Sequence, residues 1–419
     1  MATNTETTTS SDSYITCTDC NTNELTSSTD EFVTAFSDND ENGEQNDDET
    51  CKDILSLETS NDDLFQDIDS ETVVDEYSEE EKQKALLIVE CLKRNDVRNL
   101  RKLGRTKAGF VCDVLRRMVW PKICKVDVIA TSPRPDSEEM SKHPFYTQVV
   151  LDVNRSLKRF PPSIAENHRL AMQQQLITLI MRVLMKNPSF HYYQGYHDIC
   201  ITFLLILGEE AAFHCVNTVS KSHLSVFMEK TMESTADLLD IIPLIVRQEN
   251  ERLADFLEQS EVGNIFCLSW IITWFSHVLR NYQTVGRLFD LFLVSDKHMS
   301  LYLTSSIILF KAEDILKLNC DLATVHHYLT RTVESEESLP FEKLIDEAQS
   351  LLEKYPPQEM VEKQIENKKR EQQNVQKFSN FWNIFNIRYL LRKTTSIGFI
   401  SLAVLVVVSA TIFQYWRNK

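Results

Sequence analysis

Apolar residues that recur every three or four positions, from residue 81 to about residue 356, constrain the fold of this 419-residue chain more than any other feature. Within residues 168–186 such a stripe consists of Leu176, Ile177, Ile180, Val183 and Leu184. This spacing is typical of one face of an α-helix, whereas a half-buried strand would need strict alternation, and no run of strand length shows it. Glycine is also scarce, with 8 residues in the whole chain. The sequence therefore predicts an all-α fold.

Residues 1–80 have a different composition from the rest of the chain. They contain 24 Asp and Glu residues and a single lysine, Lys52, so they carry a formal charge of −23 while the remaining residues carry +5. Their apolar residues are too few to offset the entropy of ordering, which predicts a disordered acidic tail over 1–80 and a folded domain over 81–355. Such a tail repels phosphate, and no basic patch with interleaved aromatics is present, so we expect no nucleic-acid partner.

The C-terminal part of the sequence predicts attachment to a membrane. We predict a charged linker and a juxtamembrane segment over residues 356–395. The charged part, 356–377, suits a solvent-exposed helix. The aromatic and basic residues after it favour a membrane interface over a last amphipathic helix packed on the domain. Residues 397–416 carry no charge, and a helix of that length is roughly 30 Å long, enough to cross the hydrocarbon core. We expect a transmembrane tail anchor over 396–416. Because the first residues have no apolar signal sequence, the N-terminal body is expected to stay in the cytosol.

Two short motifs place polar side chains where they could take part in chemistry. The first is Val149-x-x-Asp152-x-x-Arg155, in a helix predicted to start at Pro144. Its spacing puts the carboxylate and the guanidinium one turn apart on the same face of that helix. The second motif, Tyr-Tyr-Gln-Gly at residues 192–195, follows a predicted helix break. The two motifs therefore bring an arginine, an aspartate and a glutamine to the ends of neighbouring helices.

Each motif also has an ordinary structural explanation. An acidic and a basic residue one turn apart usually form a solvated ion pair, and Tyr192 and Tyr193 could simply pack beneath their loop. His191, His197 and Asp198 lie close together in sequence. No further ligand stands at a supporting spacing, so we predict no metal site.

Together the motifs resemble the I-x-x-D-x-x-R and Y-x-Q signatures of TBC domains, the catalytic module of most Rab GTPase-activating proteins. Residues 115–120, which are Leu-Arg-Arg-Met-Val-Trp, resemble the opening L-R-x-x-V-W element of that family. Residues 270–276 and 287–292 resemble later blocks of the same family. The resemblance covers about residues 95–335. It implies an all-α fold of two helical subdomains with a groove between them where the GTPase docks.

The resemblance also implies roles for particular residues. Arg155 would be an arginine finger and Gln194 a glutamine finger, both supplied in trans to a Rab GTPase, with Asp152 and Tyr192 supporting them. GTP and Mg²⁺ would belong to the Rab, so we expect no cofactor of this chain's own. The sequence has no G-x-x-x-x-G-K-[ST] loop, so we expect a GTPase activator that does not itself hydrolyse GTP. Combined with the predicted anchor, the resemblance implies the endoplasmic-reticulum membrane and a Rab that acts in traffic from there to the Golgi.

Some residues next to the motifs depart from the family pattern. Val149 replaces isoleucine, and Ser156 follows the arginine where threonine is common. Residues 196–198 are Tyr-His-Asp where Met-Asn usually follows the Gln-Gly pair. These changes favour an effect on the choice of partner over an effect on chemistry. The alternative function is a non-catalytic, membrane-anchored adaptor that binds a Rab without turnover.

A third motif lies in the acidic tail. Residues 31–37 resemble the FFAT motif, E-F-F-D-A-x-E, which VAP receptors of the endoplasmic reticulum bind. The first glutamate, Phe32 and Ala35 match that pattern, while Thr34 stands where the plain motif has aspartate. Phosphorylation of Thr34 would restore a negative charge there. The resemblance implies a VAP-type receptor as a possible partner of residues 31–37, and chance is the alternative, because a match with three substitutions is easily found.

Overall fold

The computed structural model describes residues 77–127, 132–156, 166–335 and 339–384, with side chains from 166–168 and 378–384 left aside. Over these ranges the chain is helical and has no strand. The helices are α1 (Glu79–Lys93), α2 (Val97–Arg105), α3 (Asp113–Cys124), α4 (Ser137–Ser141), α5 (Tyr146–Arg155), α6 (Glu166–Lys186), α7 (Tyr196–Leu207), α8 (Glu209–Ser222), α9 (Glu233–Leu239), α10 (Ile241–Glu249), α11 (Glu251–Gln259), α12 (Leu268–Ile272), α13 (Tyr282–Val294), α14 (Met299–Phe310), α15 (Ala312–Ile315), α16 (Leu322–Thr332), α17 (Phe341–Lys354) and α18 (Pro357–Ile384). The prediction of an all-α fold is confirmed.

The helices pack as two groups that share α13. In the first group α6, α7 and α8 pack on one another, α3 packs on α7 and α8, and α5 packs on α6 and α7. In the second group α14 packs against α10, α12 and α17. Helix α13 contacts α2 and α3 on one side and α14 on the other. The apolar stripe of α6 is buried in the first group, as its spacing predicts.

A buried carboxylate fixes α13 against α3. Asp290 on α13 is fully buried, and it accepts hydrogen bonds from Trp120 Nε1 at 2.8 Å, from Arg116 Nε at 3.1 Å and from the backbone N–H of Phe110 at 2.9 Å. A buried charge is tolerated only when it is paired and hydrogen-bonded, and this one is both. The sequence blocks that contain Arg116, Trp120 and Asp290 are therefore structural elements of the fold.

Two helix starts differ from the predicted positions, for local reasons. Helix α1 begins at Glu79 instead of residue 81, because the Ser78 hydroxyl and the Glu81 carboxylate form a capping box there. Helix α5 begins at Tyr146 instead of Pro144, since a turn closed by the Tyr146 N–H and the His143 carbonyl precedes it.

Helix α18 covers most of the predicted charged linker, and its first turns contact the folded domain. Met360 and Gln364 are buried where α18 packs on α10. Lys368 then forms ion pairs with Asp237 and Asp240. Beyond that point the side chains that the structure describes are mostly exposed. The first turns of this segment are thus packed on the domain, whereas the sequence predicted a solvent-exposed helix.

Three predictions fall on residues outside the described ranges. They are the disordered acidic tail over 1–80, apart from its last four residues, the FFAT-like motif at 31–37 and the membrane anchor at 396–416. Among the helices that the structure does describe, none is both long enough and apolar enough to cross a bilayer.

Candidate functional site

Arg155 is the last residue of α5 and lies at the protein surface. Its side chain is 71% exposed, and its Nη1 atom lies 3.8 Å from Oδ1 of Asp152, whose side chain is only 1% exposed. An ion pair this long and this open to water contributes little to stability. The structure therefore leaves the guanidinium available to a partner, with a buried carboxylate one turn behind it.

Asp152 is held in place by two further hydrogen bonds. Its Oδ1 accepts from Gln148 Nε2 at 3.0 Å, and its Oδ2 accepts from the Tyr192 hydroxyl at 3.0 Å. Burial, and secondarily the negative charge of Asp152, raises the pKa of the Tyr192 hydroxyl well above its usual value, so this group stays protonated and donates. The structure thus brings together the two predicted supporting residues, which lie 40 positions apart in sequence.

Gln194 is exposed on the turn that joins α6 to α7. The next residue, Gly195, has a φ of +106°, and a Cβ atom added to it would lie 2.8 Å from the Thr273 side chain. Only glycine adopts this conformation and permits this approach without strain. On the other side of Gln194, the hydroxyl of Tyr193 donates to the carbonyl of Ile272 at 2.9 Å. The turn that carries Gln194 therefore packs directly against the end of α12.

The backbone that receives this turn is itself in an uncommon conformation. Trp274 and Phe275 both have positive φ, of 50° and 65°. Such angles are rare for bulky residues and persist only where packing enforces them. Both rings are buried and pack on Phe292 of α13. The aromatic core thus fixes the segment from Thr273 to His277 beside the glutamine turn.

Sequence reasoning did not find a second set of polar contacts at this site. The Tyr192 hydroxyl also lies 3.2 Å from His197 Nδ1, and Asp198 Oδ2 lies 2.8 Å from Nδ1 of His277. The pair formed by Asp198 and His277 joins positions 79 residues apart, so no local spacing could have indicated it. The visible signal was the unusual Tyr-His-Asp at residues 196–198. Within the part of the chain that the structure describes, no group of three or more His, Cys, Asp or Glu side chains is arranged to hold a metal ion.

The described part of the chain is thus an all-helical body with an exposed arginine at the end of α5 and an exposed glutamine on the turn before α7. The comparisons with known proteins identify the class to which it belongs. Residues 113–316 match the family described as the Rab-GTPase-TBC domain. The chain belongs to this family, as its motifs predicted.

Two relatives identified by sequence give the same result. The chain is 40% identical over 312 residues to TBC1 domain family member 20 of Homo sapiens. This alignment covers 73% of the present chain and 76% of that protein. It is 30% identical over 249 residues to the GTPase-activating protein gyp10 of Schizosaccharomyces pombe, covering 58% of this chain and 65% of that protein. Among solved structures, the Chlamydomonas flagellar RabGAP TBC domain aligns with a TM-score of 0.48 at 14% identity, over 66% of this chain and 96% of that one.

Proposed function

We propose that this protein accelerates GTP hydrolysis by a Rab GTPase, to which it supplies Arg155 and Gln194 in trans. One observation carries the proposal. The buried hydrogen bond from Tyr192 to Asp152 joins the helix that ends in Arg155 to the turn that carries Gln194. Two exposed polar side chains, in separate elements, are thereby held on one rigid support. Rigid positioning of groups that act on a transition state is what catalysis requires.

The arginine suits the charge that develops during phosphoryl transfer. Negative charge spreads over the γ-phosphoryl oxygens and the leaving oxygen, and a cation delivered from outside stabilises it. Such a residue contributes about 10³–10⁵-fold in rate, or roughly 4–7 kcal/mol. A guanidinium is planar, stays charged and donates to two oxygens at once. Since Arg155 is 71% exposed, it reaches a docked partner without losing a buried contact.

The glutamine amide suits the orientation of the attacking water. Its carbonyl oxygen accepts from that water, while its NH₂ group donates to phosphate. Nucleotide and Mg²⁺ are bound by the Rab in this proposal, and the chain uses no cofactor of its own. Its role is that of an activator, because the bond that breaks belongs to the nucleotide bound to the partner.

The test is phosphate release from a panel of GTP-loaded Rab proteins with catalytic amounts of the purified protein. Arg155→Ala and Gln194→Ala should each abolish the stimulation without changing the thermal midpoint. Arg155→Lys should also fail, because an ammonium cannot span two oxygens. Arg94→Ala is the matched control, since Arg94 also lies at a helix end, pairs with an acid one turn before it and is 74% exposed. It should stay fully active.

Two results would contradict this mechanism. Near-normal activity in Arg155→Ala would mean that this guanidinium does not reach the phosphate. Stoichiometric binding of a GTP-loaded Rab without phosphate release would instead indicate the non-catalytic adaptor.

We further propose that the protein acts at the cytosolic face of the endoplasmic reticulum, in traffic toward the Golgi. The uncharged stretch at 397–416 supports membrane attachment. The choice of this membrane rests on the resemblance implied by a TBC domain combined with a C-terminal anchor. Residues 31–37, which contain Phe32, Thr34 and Ala35, supply a second proposed contact through a VAP-type receptor.

A further inference from the structure

Side-chain hydrogen bonds hold the turn that carries Gln194, and the first helical residues after it, against the rest of the protein. Two were described above: Tyr192 donates to Asp152, and Tyr193 donates to the carbonyl of Ile272. Another joins the hydroxyls of Tyr196 and Ser220 at 2.7 Å, deep in the core. The pair formed by Asp198 and His277 is the one nearest to solvent. The side chain of His277 is 44% exposed, whereas that of Asp198 is 1% exposed.

The directions of these hydrogen bonds follow from the chemistry of the groups. An ionised carboxylate only accepts, so Nδ1–H of His277 donates to Asp198. The Tyr192 hydroxyl has one proton, which it donates to Asp152, so the Nδ1–H of His197 must donate to the Tyr192 oxygen. Histidine tautomers are assigned in this way from their partners.

The Asp198–His277 pair stands where it can control the glutamine turn. Asp198 lies in the first turn of α7, four residues after Gln194, where a carboxylate also interacts favourably with the helix dipole. His277 ends the strained segment that packs against Gly195 through Thr273. The pair therefore links the start of α7, just after Gln194, to the segment of residues 273–277 that packs against Gly195.

We propose that His277 is a positioning residue for the GTPase-activating reaction, because its hydrogen bond to Asp198 fixes the turn that presents Gln194. This inference rests on the proposed function. A histidine at the rim of the site thus contributes to the rate through another residue, without contacting the phosphate. A misplacement of a reacting group by about 1 Å can cost up to about 100-fold in rate, and loss of the His277 contact alone should cost roughly tenfold.

The test compares single-turnover GTP hydrolysis by a responsive Rab at increasing concentrations of the full-length protein, purified in detergent. His277→Ala should lower the maximal rate constant about tenfold and leave the half-saturating concentration within about twofold of wild type. His277→Asn should recover most of the rate, because its amide N–H stands near the position of Nδ1. His298→Ala is the control, since Nδ1 of His298 also lies within hydrogen-bond distance of a carboxylate, that of Asp296 at 2.7 Å. It should leave the rate unchanged.

Hydrogen exchange of the backbone provides a readout that does not depend on any Rab. In His277→Ala the amides of residues 195–198 should exchange several-fold faster, and in His298→Ala they should not change. A maximal rate within twofold of wild type, a loss confined to the half-saturating concentration, or unchanged exchange would each overturn the inference. If the wild-type protein stimulates no Rab, the proposed function fails, and the exchange experiment still decides whether His277 fixes the turn.

Discussion

The change Tyr192→Phe tests the contact on which the site depends. It removes one hydroxyl and leaves the ring, which packs edge-on against Tyr196 with centroids 6.3 Å apart. The lost hydroxyl donates to Asp152, whose side chain is 1% exposed, and accepts from His197, so water cannot readily replace it. The structure therefore predicts a larger effect than a surface hydroxyl would give.

The magnitude follows from the nature of the acceptor. A hydrogen bond to a charged group contributes about 1.5–3 kcal/mol, whereas one between neutral groups contributes about 0.5–1.5 kcal/mol. Tyr193 supplies the matched comparison, because its buried hydroxyl donates to the neutral carbonyl of Ile272 at 2.9 Å. We expect Tyr192→Phe to lower the free energy of unfolding by about 2 kcal/mol and Tyr193→Phe by about 1 kcal/mol.

The assay is thermal unfolding followed by far-ultraviolet circular dichroism at pH 7. At roughly 2 °C for each kcal/mol in a folded body of this size, the midpoint should fall by about 4 °C in Tyr192→Phe and by about 2 °C in Tyr193→Phe. The double variant Tyr192→Phe with Asp152→Asn should lose less than the sum of the two single changes, since both changes act on the same hydrogen bond. A midpoint for Tyr192→Phe no lower than that for Tyr193→Phe, or strict additivity in the double variant, would refute this account of the site.

Three further predictions concern other parts of the chain. Deletion of residues 394–419 should release the protein from membranes into the soluble fraction with its activity intact, and retention after carbonate extraction would exclude the proposed anchor. A synthetic peptide of residues 28–42 should bind a VAP receptor domain more tightly with phosphate on Thr34 than without it, and Phe32→Ala should abolish binding. Equally weak binding of the phosphorylated and unphosphorylated peptides would exclude the motif. Burial lowers the pKa of His223 from its ordinary value of 6.5 to about 4, so the unfolded chain binds this proton more readily. The free energy of unfolding should therefore fall as the pH drops from about 6.5 toward 4. His223→Gln should reduce the accompanying fall in the thermal midpoint. The same dependence of the midpoint on pH in the variant and in the wild type would contradict this prediction.

The two finger candidates could be recognised from sequence because their signals are local. The spacing of Asp152 and Arg155 places them on one helix face whatever the rest of the fold does. Likewise, Gly195 after Gln194 already suggests a turn, because glycine alone tolerates positive φ without strain. The resemblance to the family then supplied the chemical roles that spacing alone left open.

The partners of these residues could not be read in the same way. Apolar periodicity tells which face of each helix is buried, but it does not tell which two buried faces meet. The contacts of Tyr192 with Asp152 and of His277 with Asp198 depend on how α5, α7 and the segment after α12 pack together.

The sequence alone thus determined the helical character of the folded part and the identity of the two motifs, because each depends on residues close together in the chain. It also determined the acidic composition of the tail. The tertiary structure decided that Asp290 is the buried acceptor between α13 and α3 and that Met360 is docked on α10. It also decided that His277 contacts the glutamine turn through Asp198. Hydrogen bonds and packing contacts of this kind require an approach within a few ångströms by residues far apart in sequence, and only the folded arrangement of the helices sets those distances.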